Sequence, residues 1–168
     1  NIILIPVRSN AQTLVHFGFR SVACLQIHGD EFQQHQREYD DCSGQLRVVA
    51  EGKLLPAAVV GTPRVRAKGQ GGLMAVAIHP KFQENGWIYL GYSDPGSNSL
   101  GADVGMTAIA RGRIKDNRWM DEQVIFRAPA ETYLGTTHHY GTRLVFDGQG
   151  HLFFSIGERG QMQHAQEL

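Results

Sequence analysis

No long stretch of this chain carries its apolar residues at helical spacing. From residue 44 onward they fall instead into short runs separated by Gly, Pro, Asn and Asp, which restricts the chain to an all-β architecture. Gln45–Ala50 (QLRVVA) reads as a strand that ends at a turn over 51–53. Leu73–Ile78 (LMAVAI) is nearly continuous in apolar residues, the pattern of a strand buried on both faces. It stops at His79 and Pro80, and the loop 81–86 closes on Asn85-Gly86, a strong turn signal. Residues 87–93 (WIYLGYS) are aromatic and β-branched and predict the next strand. Residues 94–105 hold Pro95, Gly96, Gly101 and Gly105 and read as a loop. Residues 107–114 alternate partially, as an outer, half-exposed strand would, and 123–126 form a shorter strand. Residues 143–146, the turn Asp147-Gly148-Gln149-Gly150 and residues 151–156 make the clearest hairpin.

The pattern of LMAVAI, turn and WIYLGYS returns as RLVF, turn and HLFFSI about 70 residues on, a weak internal repeat. Four strands per repeat with long insertions describe a propeller blade. A single four-stranded sheet cannot bury both faces alone, and stacking against the next blade supplies the missing core. Glycine, at 20 residues, fits many turns between short strands. Residues 1–43 behave differently: 2–7 suit a strand, whereas 30–41 (DEFQQHQREYDD) are polar and read as a solvated loop or short helix.

Lys plus Arg and Asp plus Glu are 16 each, so the chain lacks the basic surplus of an electrostatic nucleic-acid binder. No run approaches the roughly 18 apolar residues that span a bilayer. Cys24 and Cys42 allow one disulfide or two free thiols and imply no framework. No CxxC, HExxH or EF-hand loop marks a metal site. The first and last residues read as cuts, so the chain is expected to be an internal piece of a longer protein.

Residues 69–93 (GQGGLMAVAIHPKFQENGWIYLGYS) and 139–160 (HYGTRLVFDGQGHLFFSIGERG) resemble signatures of the soluble quinoprotein glucose dehydrogenases and bacterial aldose sugar dehydrogenases. The resemblance covers residues 44–168 and is closer to the aldose branch, whereas residues 18–42 do not follow the pattern. It implies a six-bladed β-propeller, of which this chain would form about two to three blades. It implies oxidation of aldose sugars at the anomeric carbon with pyrroloquinoline quinone (PQQ), assisted by Ca2+. The calcium ligands and the basic residues that clamp the quinone are expected outside this chain. His139 matches the general base, for which imidazole is suited because its unperturbed pKa lies near the operating pH. Glu158 matches the carboxylate that orients the base, and Gln70 a position near substrate and cofactor. A small sugar, an external electron acceptor and a periplasmic or secreted location follow from the same resemblance. Two other functions share such a fold: a non-catalytic propeller that binds another protein, and a lactonase-type hydrolase.

The remaining candidates read as structural. His138 suits a polar loop, His79 a strand end and Arg143 a structural salt bridge or hydrogen bond. Trp87, Tyr89, Phe153 and Phe154 are expected to pack between blades.

Overall fold

The computed structural model describes residues 2–6, 15–17, 23–25, 44–50, 53–97 and 101–165. Its centre is a four-stranded antiparallel meander of β6 (Leu73–Ile78), β7 (Ile88–Ser97), β8 (Asp103–Lys115) and β9 (Arg118–Arg127), hydrogen-bonded in that order. Before it lies a five-stranded sheet in the order β3-β2-β1-β4-β5. Its strands are β1 (Ile2–Pro6), β2 (Val15–Phe17), β3 (Ala23–Leu25), β4 (Gln45–Ala50) and β5 (Lys53–Leu54). Within it β1 runs parallel to β4 and the other pairs are antiparallel. After the meander comes the hairpin of β10 (Gly141–Phe146) and β11 (Leu152–Ile156). Residues 30–43, including Cys42 and the polar stretch, lie outside the described residues.

The meander is apolar on both faces, and its side chains alternate between two cores. Leu73, Val76, Ile88, Leu90, Tyr92, Ala108 and Ala110 face one way, onto Leu46 and Val48 of β4. Ala75, Tyr89 and Ile109 face the other way, onto Leu144 of the hairpin, with Trp87, Phe126, Phe146, Leu152 and Phe154 packed around them. Tyr89 meets Phe146 edge-on at 5.0 Å, and Phe126 lies 5.1 Å from Phe154. Gly91 lets the hairpin approach: a Cβ there would sit 2.5 Å from Thr142 Cγ2.

Three expectations are corrected. The loop over 94–105 is mostly ladder, since β7 and β8 stay paired from Ile88↔Gly112 out to Ser97↔Asp103. Pro95 is tolerated because β6 stops pairing at Leu73↔Tyr92, so beyond that point the other edge of β7 needs no donor. The strand over 107–114 is not outer and half-exposed: β8 is flanked by β7 and β9, and Ala108, Ile109 and Ala110 are fully buried. The outer strand is β9, reached through Asp116 and Asn117, both at positive φ as a two-residue hairpin turn requires. Finally, Phe153 does not pack. It pairs with Val145 on the opposite face of the hairpin from Leu144 and Phe154, and is 61% exposed.

Between β6 and β7 the expected loop contains one helical turn, α1 (Phe82–Asn85), closed by Gly86 in the left-handed region. His79 is structural, as expected. Its Nδ1 faces the Lys81 N–H and the Asn85 side-chain amide, and its ring packs on Tyr89 and Phe146. After β9, the segment 129–134 is tied back to the meander at Asp94, whose carboxylate accepts from the Tyr133 hydroxyl (2.5 Å) and pairs with Arg127 (3.0 Å). Burial and that carboxylate push the Tyr133 phenol well above its ordinary range.

The two-faced burial predicts a clear contrast in urea unfolding of this chain. Leu90→Ala, at a fully buried site, lowers stability by about 2–5 kcal/mol. Phe153→Ser changes it by less than about 0.5 kcal/mol. Equal effects would mean that the hairpin's outer face is also covered.

Candidate active site

Three irregular segments converge at one end of the meander: residues 66–72 before β6, residues 134–140 before β10, and the turn 157–160 after β11. The first is anchored on Ser93, fully buried, whose hydroxyl accepts the Gly72 N–H (2.7 Å) and donates to the Arg66 carbonyl (2.8 Å). The second is held to β8 by reciprocal main-chain bonds between Leu134 and Gly105 (3.0 and 3.3 Å). The Thr107 hydroxyl adds a 2.5 Å bond to the Tyr140 carbonyl. The first two segments are joined by the Gln70 N–H on the Thr137 carbonyl (2.7 Å). The third joins the second through Gly157 N–H to Tyr140 (3.1 Å) and Arg159 N–H to His139 (3.3 Å). Only glycine fits at 157, where a Cβ would lie 1.9 Å from the His139 carbonyl oxygen.

This convergence brings the three sequence-predicted site residues together. His139 Nδ1 is hydrogen-bonded to Glu158 Oε1, and the His139 backbone N–H donates to Gln70 Oε1 at 2.8 Å. The Glu158 oxygen also accepts the Gly160 N–H (3.2 Å). The hydrogen bond from His139 is the main reason its carboxyl is held below the ordinary value. The imidazole is half exposed and the carboxylate mostly covered, at 51% and 21%. With Nδ1–H given to the carboxylate, the neutral ring keeps its lone pair on Nε2. The site is thus an oriented base presented to solvent. His138 stands edge-on to His139 at 4.6 Å. Arg143 does not make the expected structural bond. Its side chain is exposed and has no hydrogen-bond or ion-pair partner among the described residues, and only its N–H is engaged, by Ser155 Oγ at 3.2 Å.

Sequence reasoning missed the layer beneath. Arg66, Tyr140 and Arg159 are buried at 6%, 1% and 1% exposure. Arg66 donates to Tyr140 Oη (2.9 Å), to the carbonyls of Thr136, Gly135 and Asp103, and to the Asp103 carboxylate (3.0 Å). Burial opposes the charge on Arg66, but Asp103 and Tyr140 raise its pKa overall. Arg159 stacks on the Tyr140 ring, its guanidinium 3.5 Å from the ring centroid. Desolvation lowers its pKa. An arginine flanked by Glu158 and Gly160 carries no sequence mark of burial, so only the Gly157-Glu158-Arg159-Gly160 turn itself could have drawn attention to it.

Among the described residues no group of three His, Cys, Asp or Glu side chains could hold a metal ion. The two guanidiniums nearest the site are engaged by main-chain carbonyls. The described residues therefore fit a proton-accepting pair and do not by themselves fit a calcium site or a clamp for a carboxylate-bearing quinone.

The comparisons with known proteins agree on one family. The family model for glucose/sorbosone dehydrogenases matches residues 40–168. The aldose sugar dehydrogenase YliI of Escherichia coli K12 is 40% identical over 127 residues, covering 74% of this chain and 33% of that protein. A solved glucose dehydrogenase is 37% identical with a TM-score of 0.65, over 74% of this chain and 37% of its own. The soluble aldose sugar dehydrogenase of Escherichia coli, solved in its apo-form, is 31% identical with a TM-score of 0.69, over 99% of this chain and 40% of its own. The chain thus spans about a third of the length of the curated relative it matches. By the extent of the family match and by its likeness to these dehydrogenases, the chain belongs to the glucose/sorbosone dehydrogenase family.

Proposed function

We propose that residues 44–168 form part of a six-bladed propeller and contribute the proton-accepting half of a site that oxidises aldose sugars at the anomeric carbon. The observation that carries this reading is the His139–Glu158 pair, with Nδ1 committed to the carboxylate and Nε2 left for a substrate hydroxyl. In this reading Nε2 takes the proton of the anomeric hydroxyl as the hydride on the same carbon leaves. Glu158 holds the ring in the required tautomer and stabilises the imidazolium that results. Gln70 fixes the His139 main chain through its carbonyl oxygen, and its amide nitrogen is available to a ligand. PQQ supported by Ca2+ would supply the two-electron acceptor, with their binding groups on parts of the protein beyond this chain. Family membership favours this reading over the protein-binding propeller and the lactonase. A periplasmic location belongs to the same proposal; no described helix is long and apolar enough to cross a membrane.

The test is reconstitution of the longest natural form of the protein with the quinone and Ca2+, followed by a dye-linked assay over several aldoses. Turnover should require both additions, and its absence with every aldose would refute the proposal. His139→Ala should lower kcat/KM by about 10²–10⁴. Retention of near-native rates in that variant would remove His139 from the chemistry.

The hydrogen bond between His139 and Glu158 also makes a pH prediction. Glu158 has a depressed pKa in the folded chain, so its contribution to stability is present above the ordinary value of 4.5 and is lost as pH falls through the depressed value. Thermal melting should therefore show the native chain above Glu158→Gln at neutral pH, with the two midpoints converging in acid. A gap that persists or widens in acid would contradict the pairing.

A further inference from the structure

We propose that Arg159 is a positioning residue for the His139 imidazole, acting through the main chain of residues 136–139. The proposal rests on the reading of His139 as proton acceptor. The Arg159 side chain is 1% exposed and forms no ion pair with a carboxylate among the described residues. Its two Nη groups donate to main-chain oxygens instead: Nη1 to His138 (2.9 Å), and Nη2 to Thr136 (2.7 Å) and Gly105 (3.2 Å). Gly105 belongs to β8, so the loop bearing the base is tied to an interior strand of the meander. The main chain of Arg159 adds two more ties. Its N–H donates to the His139 carbonyl (3.3 Å), and its carbonyl accepts the Thr136 hydroxyl (3.0 Å).

Both His139 and Arg159 have positive φ, 52° and 57°. Non-glycine residues rarely adopt that conformation, and it persists where the surroundings impose it. Arg159 supplies those surroundings for His139. Because Glu158 immediately precedes it, one turn sends a carboxylate outward to the imidazole and a guanidinium inward to the backbone beneath it. A planar fork can donate in several directions while stacking on Tyr140; a lysine ammonium cannot do both. Loss of the fork frees residues 136–139 to shift, and the Nδ1 bond to Glu158 loosens with them.

The experiment reads the His139 tautomer in this chain from its ring 15N chemical shifts at neutral pH, assigned by comparison with His139→Asn. The native chain should show widely separated nitrogen shifts, with the proton on Nδ1. In Arg159→Met and Arg159→Lys the two shifts should converge as the tautomers mix, while circular dichroism keeps its native form. If Arg159→Met does not fold, Arg159→Lys decides. Glu158→Ala separates the two possible failures. If it leaves the native shifts in place, the His139–Glu158 reading itself is wrong. If it mixes the tautomers while the folded Arg159 variants keep the native pattern, that reading stands and the positioning role of Arg159 is overturned.

Discussion

A sheet that is apolar on both faces cannot exist alone in water, and this constraint organises everything else in the molecule. The meander β6–β9 sends Leu90 and Ala110 to one side and Tyr89 and Ile109 to the other. Each face must be covered, because every large side chain left in water forfeits about 1.5–3 kcal/mol. The sheet containing β4 covers one face and the β10–β11 hairpin the other. Gly91 sets how closely the hairpin comes, and Leu144 seats it. Once β10 lies there, the chain leading into it has to cross the end of β8, and the turn leaving β11 has to return beside it. The meeting of His139 with Glu158 is a consequence of covering that second face.

The crossing segments are irregular and partly buried, so their main-chain polar groups need partners that no regular ladder supplies. Two arginines provide them. Arg66 serves the carbonyls of Asp103, Gly135 and Thr136, and Arg159 those of Gly105, Thr136 and His138. Tyr140 lies between them, bonded through its hydroxyl to Arg66 and stacked by its ring on Arg159. The His139 imidazole and the Glu158 carboxylate thus rest on a layer that satisfies the backbone below them. Asp103 offsets the charge of Arg66, while Arg159 has only carbonyls and an aromatic face, which is why burial lowers its pKa. Rigid placement of an exposed imidazole is what a loop cannot achieve without such support.

Much of the strand layout was legible because short apolar runs between turn residues have few alternatives. Gln45–Ala50 and Leu73–Ile78 appear with the bounds their composition suggested. The differences have a common cause: local composition does not encode which neighbours a strand acquires. Pro95 and Gly96 look like loop residues, yet they sit in β7 because its other edge is free there. Residues 107–114 look half-exposed because Arg111 and Arg113 interrupt them. Both reach over the Trp87 ring, while Ala108 and Ala110 before them lie in the core. Asp116-Asn117 is itself a turn signal, and β9 begins just after it. Phe153 has the composition of a core residue, and only the face occupied by Leu144 decides that it points away.

For the site, residue types and their order along the chain were enough to select His139, Glu158 and Gln70, because those motifs are long and resemble a known family. The family itself is independently established by the match over residues 40–168. What the amino-acid sequence alone determined is therefore the strand pattern and the chemical identity of the candidate groups, since periodicity and side-chain chemistry are local properties. The tertiary structure decided which nitrogen of His139 is committed, that Gln70 meets its main chain, and that Arg66, Tyr140 and Arg159 lie beneath. Those are contacts between residues up to 74 positions apart, and they arise only when the hairpin packs on the meander.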